Sequence, residues 1–369
     1  MKVQKESLAI IGASYLQLPL IEKAKEMGYT THVFAWAAND VGEAAADYFY
    51  PISIVEKEQI CEKCRAIGIV GICSIASDLA TVTVNYVAEQ LGLNGNSMEA
   101  TFKSTNKHAM RNAFAEKGDP SPRSILVDEK TDLTALKLEY PVIVKPTDRS
   151  GSRGICKLES AAGLLEAVAA AMSEGFEKKA LIEEFAEGQE YSVEGISFHG
   201  KHHILAMTLK HTTGAPQFIE TGHMEPAPVS ADTLDRVTDV VCHALDTLGI
   251  ENSASHAEVK IAENGTIRII EIGGRMGGDC IGSDLVQYST GIDYVRAVIQ
   301  VACGQEPDLT PVGEKQTVAV RFIFTEDDMQ EFNKLKETDR LLKVVSLQPE
   351  NIGHITDSSN RAGCYIVKV

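Results

Sequence analysis

Glu258 and Glu271 each stand six residues from an Asn264-Gly265 pair, in the runs Ala257-Glu258-Val259-Lys260-Ile261 and Ile267-Arg268-Ile269-Ile270-Glu271-Ile272. Asn-Gly favours a two-residue type I′ turn, because both positions tolerate positive φ. Such a turn places the strands symmetrically about the Asn264–Gly265 bond. It sets the two glutamates opposite each other on one face, with Cβ atoms ~5 Å apart. At an effective dielectric of ~20 their repulsion is on the order of a few kcal/mol. A divalent cation removes it, and two carboxylates that leave coordination positions open to phosphate oxygens suit magnesium. The alternative is a solvated hairpin whose charges are screened by water. The next residues, Gly273-Gly274-Arg275-Met276-Gly277-Gly278-Asp279, favour the cation. An arginine between two glycine pairs can approach a ligand closely and fork onto a carboxylate or phosphate.

Two further stretches point to anion binding. Tyr140-Pro141-Val142-Ile143-Val144-Lys145-Pro146 reads as an apolar strand ending in a lysine, followed by Asp148-Arg149-Ser150-Gly151-Ser152-Arg153-Gly154. Small residues let backbone N–H groups fold around phosphate oxygens, and Lys145 adds a point charge. An ordinary hairpin turn is the bland alternative. In Leu181-Ile182-Glu183-Glu184-Phe185-Ala186-Glu187-Gly188-Gln189-Glu190, an apolar strand emerges into acidic residues. It can offer peptide groups to a purine edge and a carboxylate to ribose, or it is an acidic surface loop. Lys107 lies inside a helical pattern.

The elements that must position these residues alternate at first between strand and helix: Leu8–Ile11, Leu16–Met27, Thr31–Ala35, Ile69–Ile75 and Leu79–Leu91. That alternation predicts a parallel sheet covered by helices over residues 1–100. Its first turn, Gly12-Ala13-Ser14-Tyr15-Leu16-Gln17, lacks the GxGxxG spacing of dinucleotide binding. A second unit is expected over 101–311. It has a helix at Thr105–Lys117, a lid at about 123–187 with a helix at Glu159–Met172, a helix at Ala231–Leu248 and the hairpin. A third unit of strands with one charged helix, Glu326–Lys336, is expected over 312–369.

The composition excludes some functions. With 369 residues, 44% hydrophobic and 24% charged, the chain reads as a multi-domain globular protein. A formal net charge of −17 argues against a nucleic-acid partner. Eight scattered cysteines suit a reducing compartment, and the Cys61/Cys64 pair lies in a helical pattern with no second pair. No apolar run approaches the ~20 residues of a membrane span. The apolar stretch Leu8–Ile21 is interrupted by Gly12, Gln17 and Pro19, unlike a signal peptide. A cytoplasmic location with no membrane partner is the expectation.

Taken in order, these pieces resemble the ATP-grasp superfamily over nearly the whole chain. The resemblance rests on the strand-ended Lys145, the 148–154 loop, the acidic hinge, and Glu258 and Glu271 before Arg275. It implies an α/β chain with an ATP-grasp fold, an N-terminal parallel-sheet domain like that of biotin carboxylase-like members, and a small C-terminal α+β domain. Its cofactors would be ATP and Mg2+, with Mn2+ as a substitute. Lys107 and Lys145 would contact ATP phosphates, with Lys210 among the nucleotide-binding residues. Ser150, Gly151, Ser152 and Gly154 would close over the γ-phosphate. Glu183 and the backbone of Ala186 would face adenine, and Glu190 the ribose. Glu258 and Glu271 would hold the metal. Many members carry asparagine where this chain has Gly273, which would leave Glu271 as the main metal contact of its strand.

The segment Glu271–Asp279 is similar to that of L-amino acid (dipeptide) ligases. So is the segment from Lys210-His211-Thr212 to Glu220-Thr221-Gly222-His223-Met224-Glu225-Pro226. On this likeness His223, Arg275 and Gly277 would meet substrate, although a structural histidine is the alternative for His223. The implied activity joins a carboxylate to an amine through an acyl-phosphate, with Arg275 as the catalytic residue. Its partners would be small-molecule carboxylates and amines, and a homodimer is the family-level expectation. The alternatives are a carbamoyl-phosphate-synthase-like or carboxylase-like enzyme using bicarbonate, and an inactive ATP-binding protein.

Overall fold

The computed structural model describes residues 5–149, 153–214, 219–353 and 361–369. The alternating segment builds β1 (Ser7–Ile11), α1 (Leu18–Glu26), β2 (Thr30–Phe34), α2 (Val41–Ala45), β3 (Tyr48–Tyr50), α3 (Lys57–Ile67), β4 (Gly71–Cys73) and α4 (Asp78–Leu91). The strands form a parallel sheet in the order β3-β2-β1-β4. Strands β1, β2 and β4 are almost wholly buried, as a sheet covered by helices requires. Cys61 and Cys64 are buried free thiols of α3 in this core. Ser77 caps α4 by accepting from the Ala80 N–H, and Gly92 closes the helix in the left-handed conformation.

Two helices, α5 (Met98–Thr105) and α6 (Lys107–Lys117), lead into the lid. The break between them is Asn106, whose extended backbone ends one helix and whose side chain accepts from the N–H groups of His108 and Ala109 to start the next. The lid holds β5 (Ser124–Val127), β6 (Val142–Pro146), β7 (Cys156–Leu158), α7 (Leu164–Glu174) and β8 (Ala180–Glu184). Its antiparallel sheet runs β5-β8-β6-β7. Helix α7 begins later than the alanine-rich pattern from Glu159 suggested, because Gly163 takes a left-handed turn (φ 81°) at the N-cap.

The rest of the chain adds β9 (Gln189–Phe198), β10 (Lys201–Thr212), β11 (Glu220–Glu225), α8 (Ala231–Leu248), β12 (Ser253–Ile261), β13 (Ile267–Gly273), α9 (Val286–Thr290) and α10 (Tyr294–Ala302). It ends with β14 (Val318–Ile323), α11 (Glu326–Leu335), β15 (Leu341–Leu347) and β16 (Gly363–Lys368). Eight strands form one antiparallel sheet in the order β13-β12-β9-β10-β11-β14-β16-β15. The C-terminal α+β unit therefore extends the central sheet through the β11–β14 pairing, without a break near residue 312. One face of this sheet packs on α8, with Val193, Met207, Ala257, Val259 and Ile269 against Val237, Val241 and Leu245. The opposite face carries the polar residues of the site.

Candidate functional site

The hairpin pairs Glu258 with Glu271, as the spacing around Asn264-Gly265 predicted, but by a different route. The turn is not two residues long. Ala262 N–H donates to the Thr266 carbonyl at 3.0 Å and Gly265 N–H to the Ala262 carbonyl at 2.8 Å, so Glu263, Asn264 and Gly265 form a three-residue loop. Gly265 alone takes positive φ (80°), the pattern of a type I turn followed by a left-handed residue. This shifts the register by one, pairing Ile261 with Ile267 and Val259 with Ile269. A β-bulge then shifts it back: Ile270 is the extra residue, and Glu258 meets Glu271 beyond it.

Both carboxylates line an open cleft between the lid and the central sheet. Lys210, on the cleft-facing side of β10, lies 2.6 Å from Glu258 and 2.9 Å from Glu190. Lys107 lies 2.7 Å from Glu271 and donates to the Arg149 carbonyl at 2.9 Å. Lys145 closes β6 and lies 2.6 Å from Glu183. Burial opposes the charges of Glu258 and Lys210. Lys210, then His256, nonetheless holds Glu258 well below the usual carboxylate range, and the acidic neighbours led by Glu258 hold Lys210 well above its ordinary value. Burial pushes Lys145 below its ordinary value despite Glu183. Arg111 and Lys145 outweigh burial at Glu183 and hold its carboxyl down. The cleft is also lined by the apolar side chains of Pro122, Ile143, Ile155, Phe185 and Ile270, with Ala186. Phe185 is flanked by the ammonium groups of Lys157 and Lys260, at 4.0 and 4.8 Å from its ring centroid.

Arg275 lies at the junction with the N-terminal domain. Asp78, the first residue of α4, accepts from its Nε at 2.8 Å and from Nη2 at 3.0 Å. Burial opposes the guanidinium's charge, but Asp78 raises its pKa further. The same fork accounts for Gly273, since a Cβ there would stand 2.8 Å from Asp78 Oδ1 and would displace the carboxylate that holds Arg275. Beneath Glu258, the buried Glu194 pairs with His256 Nδ1 and accepts from the Gly277 N–H at 2.9 Å. Burial disfavours imidazolium, but Glu194 raises His256 to about 9. A Cβ on Gly277 would stand 2.5 Å from Glu194 Oε1.

Not every residue singled out in the sequence reaches the cleft wall. His223 is buried on β11, edge-on to Phe322 at 5.6 Å. Its Nε2 is 3.8 Å from Asp279, and neither ring nitrogen has a hydrogen-bond partner among the described residues. Gly277 turns its N–H to Glu194, and Gly154 (φ 66°) packs by Glu174 and Pro146. Ser150, Gly151 and Ser152 lie outside the described residues. The carboxylate of Glu183 is committed to Lys145 and Arg111.

The sequence reading missed Arg111, Asp78, Glu194 and Arg361, which forks onto Asp279 at 2.9 and 3.0 Å. Arg111 had a signal, one helical turn after Lys107. Glu194 had another, because Glu190, Ser192 and Glu194 alternate onto one face of β9. Asp78 and Arg361 had none, since their partners are distant in sequence.

The donor set at Glu258 and Glu271 fits a hard divalent cation, being oxygen only and opposed across two strands. Among the described residues no group of three or more His, Cys, Asp or Glu side chains is arranged to hold a metal ion, so the remaining coordination positions would fall to ligand oxygens and water. No helix among the described residues is long and apolar enough to cross a membrane.

Comparison with known proteins agrees with this architecture. Residues 138–284 match the ATP-grasp domain family, and the chain carries an ATP-grasp domain. Alanine–anticapsin ligase of Bacillus subtilis is 27% identical over 308 residues, covering 73% of this chain and 64% of that protein. Dapdiamide A synthase of Enterobacter agglomerans is 28% identical over 223 residues, covering 57% of this chain and 49% of that one. The crystal structure of L-amino acid ligase from Bacillus licheniformis superposes with a TM-score of 0.82 at 22% identity, covering 100% of this chain and 94% of that chain. This chain thus spans less than two thirds of the length of the curated ligases it matches.

Proposed function

We propose that this chain is an ATP-dependent ligase that joins a carboxylate to an amine through an acyl-phosphate, with an amino acid among its substrates. The observation that carries this reading is the opposition of Glu258 and Glu271 in a cleft that also gathers Lys107, Lys145 and Lys210. The apolar lining that includes Phe185 and Ala186 suits a purine, and the lysines suit the triphosphate. Glu258 and Glu271 would hold magnesium, which when bound neutralises charge on the phosphate oxygens. Lys107 and Lys145 would orient the γ-phosphate for in-line attack by the substrate carboxylate. Arg275, held in place by Asp78, would stabilise the oxyanion formed when the amine attacks the acyl-phosphate and phosphate leaves. Closure of the lid would keep water from the acyl-phosphate. The buried ring of His223 would flank the substrate beyond Lys210, across β10 and β11.

The test is a phosphate-release screen with ATP, magnesium and amino acids in pairs, followed by mass spectrometry of the products. A condensed product with stoichiometric ADP is expected. Glu271→Gln is expected to fold normally and to lose about two orders of magnitude or more in turnover. Phosphate release driven by bicarbonate without any amino acid, or near-normal turnover in Glu271→Gln, would overturn the reading.

A further inference from the structure

Arg111 is not itself part of the cleft wall, yet it joins two of the structures that form it. It lies on α6 one turn after Lys107, is 3% exposed, and reaches across to both sheets. In the lid, its Nε is 2.9 Å from Glu183 Oε1 and its Nη2 is 3.3 Å from Oε2, on the carboxylate that also holds Lys145. In the central sheet, Nη2 donates to the Ile270 carbonyl at 2.6 Å. Ile270 is the extra residue of the bulge.

That last contact falls at the register shift of the hairpin. The three-residue loop imposes a register in which Glu258 would face Ile270 and Glu271 would fall opposite Ala257, on the face packed against α8. A slip of one residue flips a strand's side chains to the other face. Only the bulge returns Glu271 to the cleft, and the bulge leaves the Ile270 carbonyl outside the ladder. A partly buried carbonyl without a donor is costly, so the guanidinium favours the bulged register over the regular one.

We propose that Arg111 is a positioning residue that holds Glu271 on the cleft face and ties that register to the Glu183–Lys145 pair of the lid. The proposal rests on the reading of Glu258 and Glu271 as cation ligands. A lysine at this position keeps the charge but lacks the planar fork needed to reach both partners.

The experiment measures ADP binding by calorimetry with and without magnesium in wild type, Arg111→Lys and Glu271→Gln. Arg111→Lys is expected to fold, at a lower melting temperature than wild type, and to bind ADP without magnesium within a few-fold of wild type. It should lose about tenfold of the enhancement that magnesium gives, as orienting partners of metal ligands do. A full enhancement in Arg111→Lys, with the enhancement lost in Glu271→Gln, overturns the proposal and leaves the cation site standing. A full enhancement in Glu271→Gln overturns the cation site itself. Equal losses with and without magnesium in Arg111→Lys assign Arg111 to the lid alone and also overturn the proposal. Deletion of Ile270 supplies an independent check, since it removes the bulge but keeps Glu258 opposite Glu271. Arg111→Lys in that background is expected to fold and to retain the enhancement; a further loss or failure to fold there overturns the proposal.

Discussion

Glu225 sits on the same face of the central sheet as the site, but hydroxyls rather than cations surround it. Thr208 Oγ1 and Ser289 Oγ lie 2.6 and 2.5 Å from its oxygens, and its side chain is fully buried. Burial raises its carboxyl from 4.5 to about 8. The folded protein therefore retains a proton that the unfolded chain releases from about pH 4.5 upward. Stability falls as pH rises through this window and levels off above about 8, with a total contribution on the order of a few kcal/mol. Glu225→Gln, uncharged throughout, is expected to match wild type near pH 5 and to exceed it at pH 9 in urea unfolding. A constant difference between the two across that range would show that Glu225 does not cause the slope. At this scale the sequence was a good guide to residues and a poor one to their partners. The Glu258–Glu271 pairing was legible because Asn264-Gly265 marked the turn, yet the loop and the bulge are two one-residue shifts that cancel. The Asp78–Arg275 fork was invisible because it spans 197 positions.

Among the elements, α6 does most to assemble the site. Lys107 and Arg111 share one face of it, and its start is fixed by the Asn106 side chain accepting from His108 and Ala109 N–H groups. The same side chain donates to Glu177, and Lys107 N–H donates to the Thr147 carbonyl, so the cap also anchors the lid. Asn106→Ala is expected to cost about 1 kcal/mol in urea unfolding and to raise the KM for ATP a few-fold while kcat changes less. A fall in stability with an unchanged KM would confine Asn106 to a structural role. The sequence pattern began this helix at Thr105 and left α5 unread; the Asn106 cap divides the two helices.

At the scale of the whole molecule, the N-terminal domain reaches the candidate site through the fork of Asp78 on Arg275. Asp78→Asn is expected to lower turnover by about 10- to 100-fold through loss of the charged fork on Arg275, with magnesium–ADP affinity within about twofold of wild type. Equal losses in binding and turnover would show instead that the domain supports the cleft as a whole. The alternating strands and helices made this domain legible from sequence, while its docking on Arg275 was not.

The central sheet runs without interruption from the acidic hairpin at one end to β15 at the other. The C-terminal strands are therefore a cover as much as a domain. Without them, the backbone donors and acceptors that β11 now shares with β14 would face solvent along an open edge, ready to recruit a strand from another copy. Arg361, the counter-charge of Asp279, would leave with them. The residues that complete this fold thus lie well beyond the stretch that matches the ATP-grasp family, and a protein trimmed to that stretch would be prone to clump before it could be assayed.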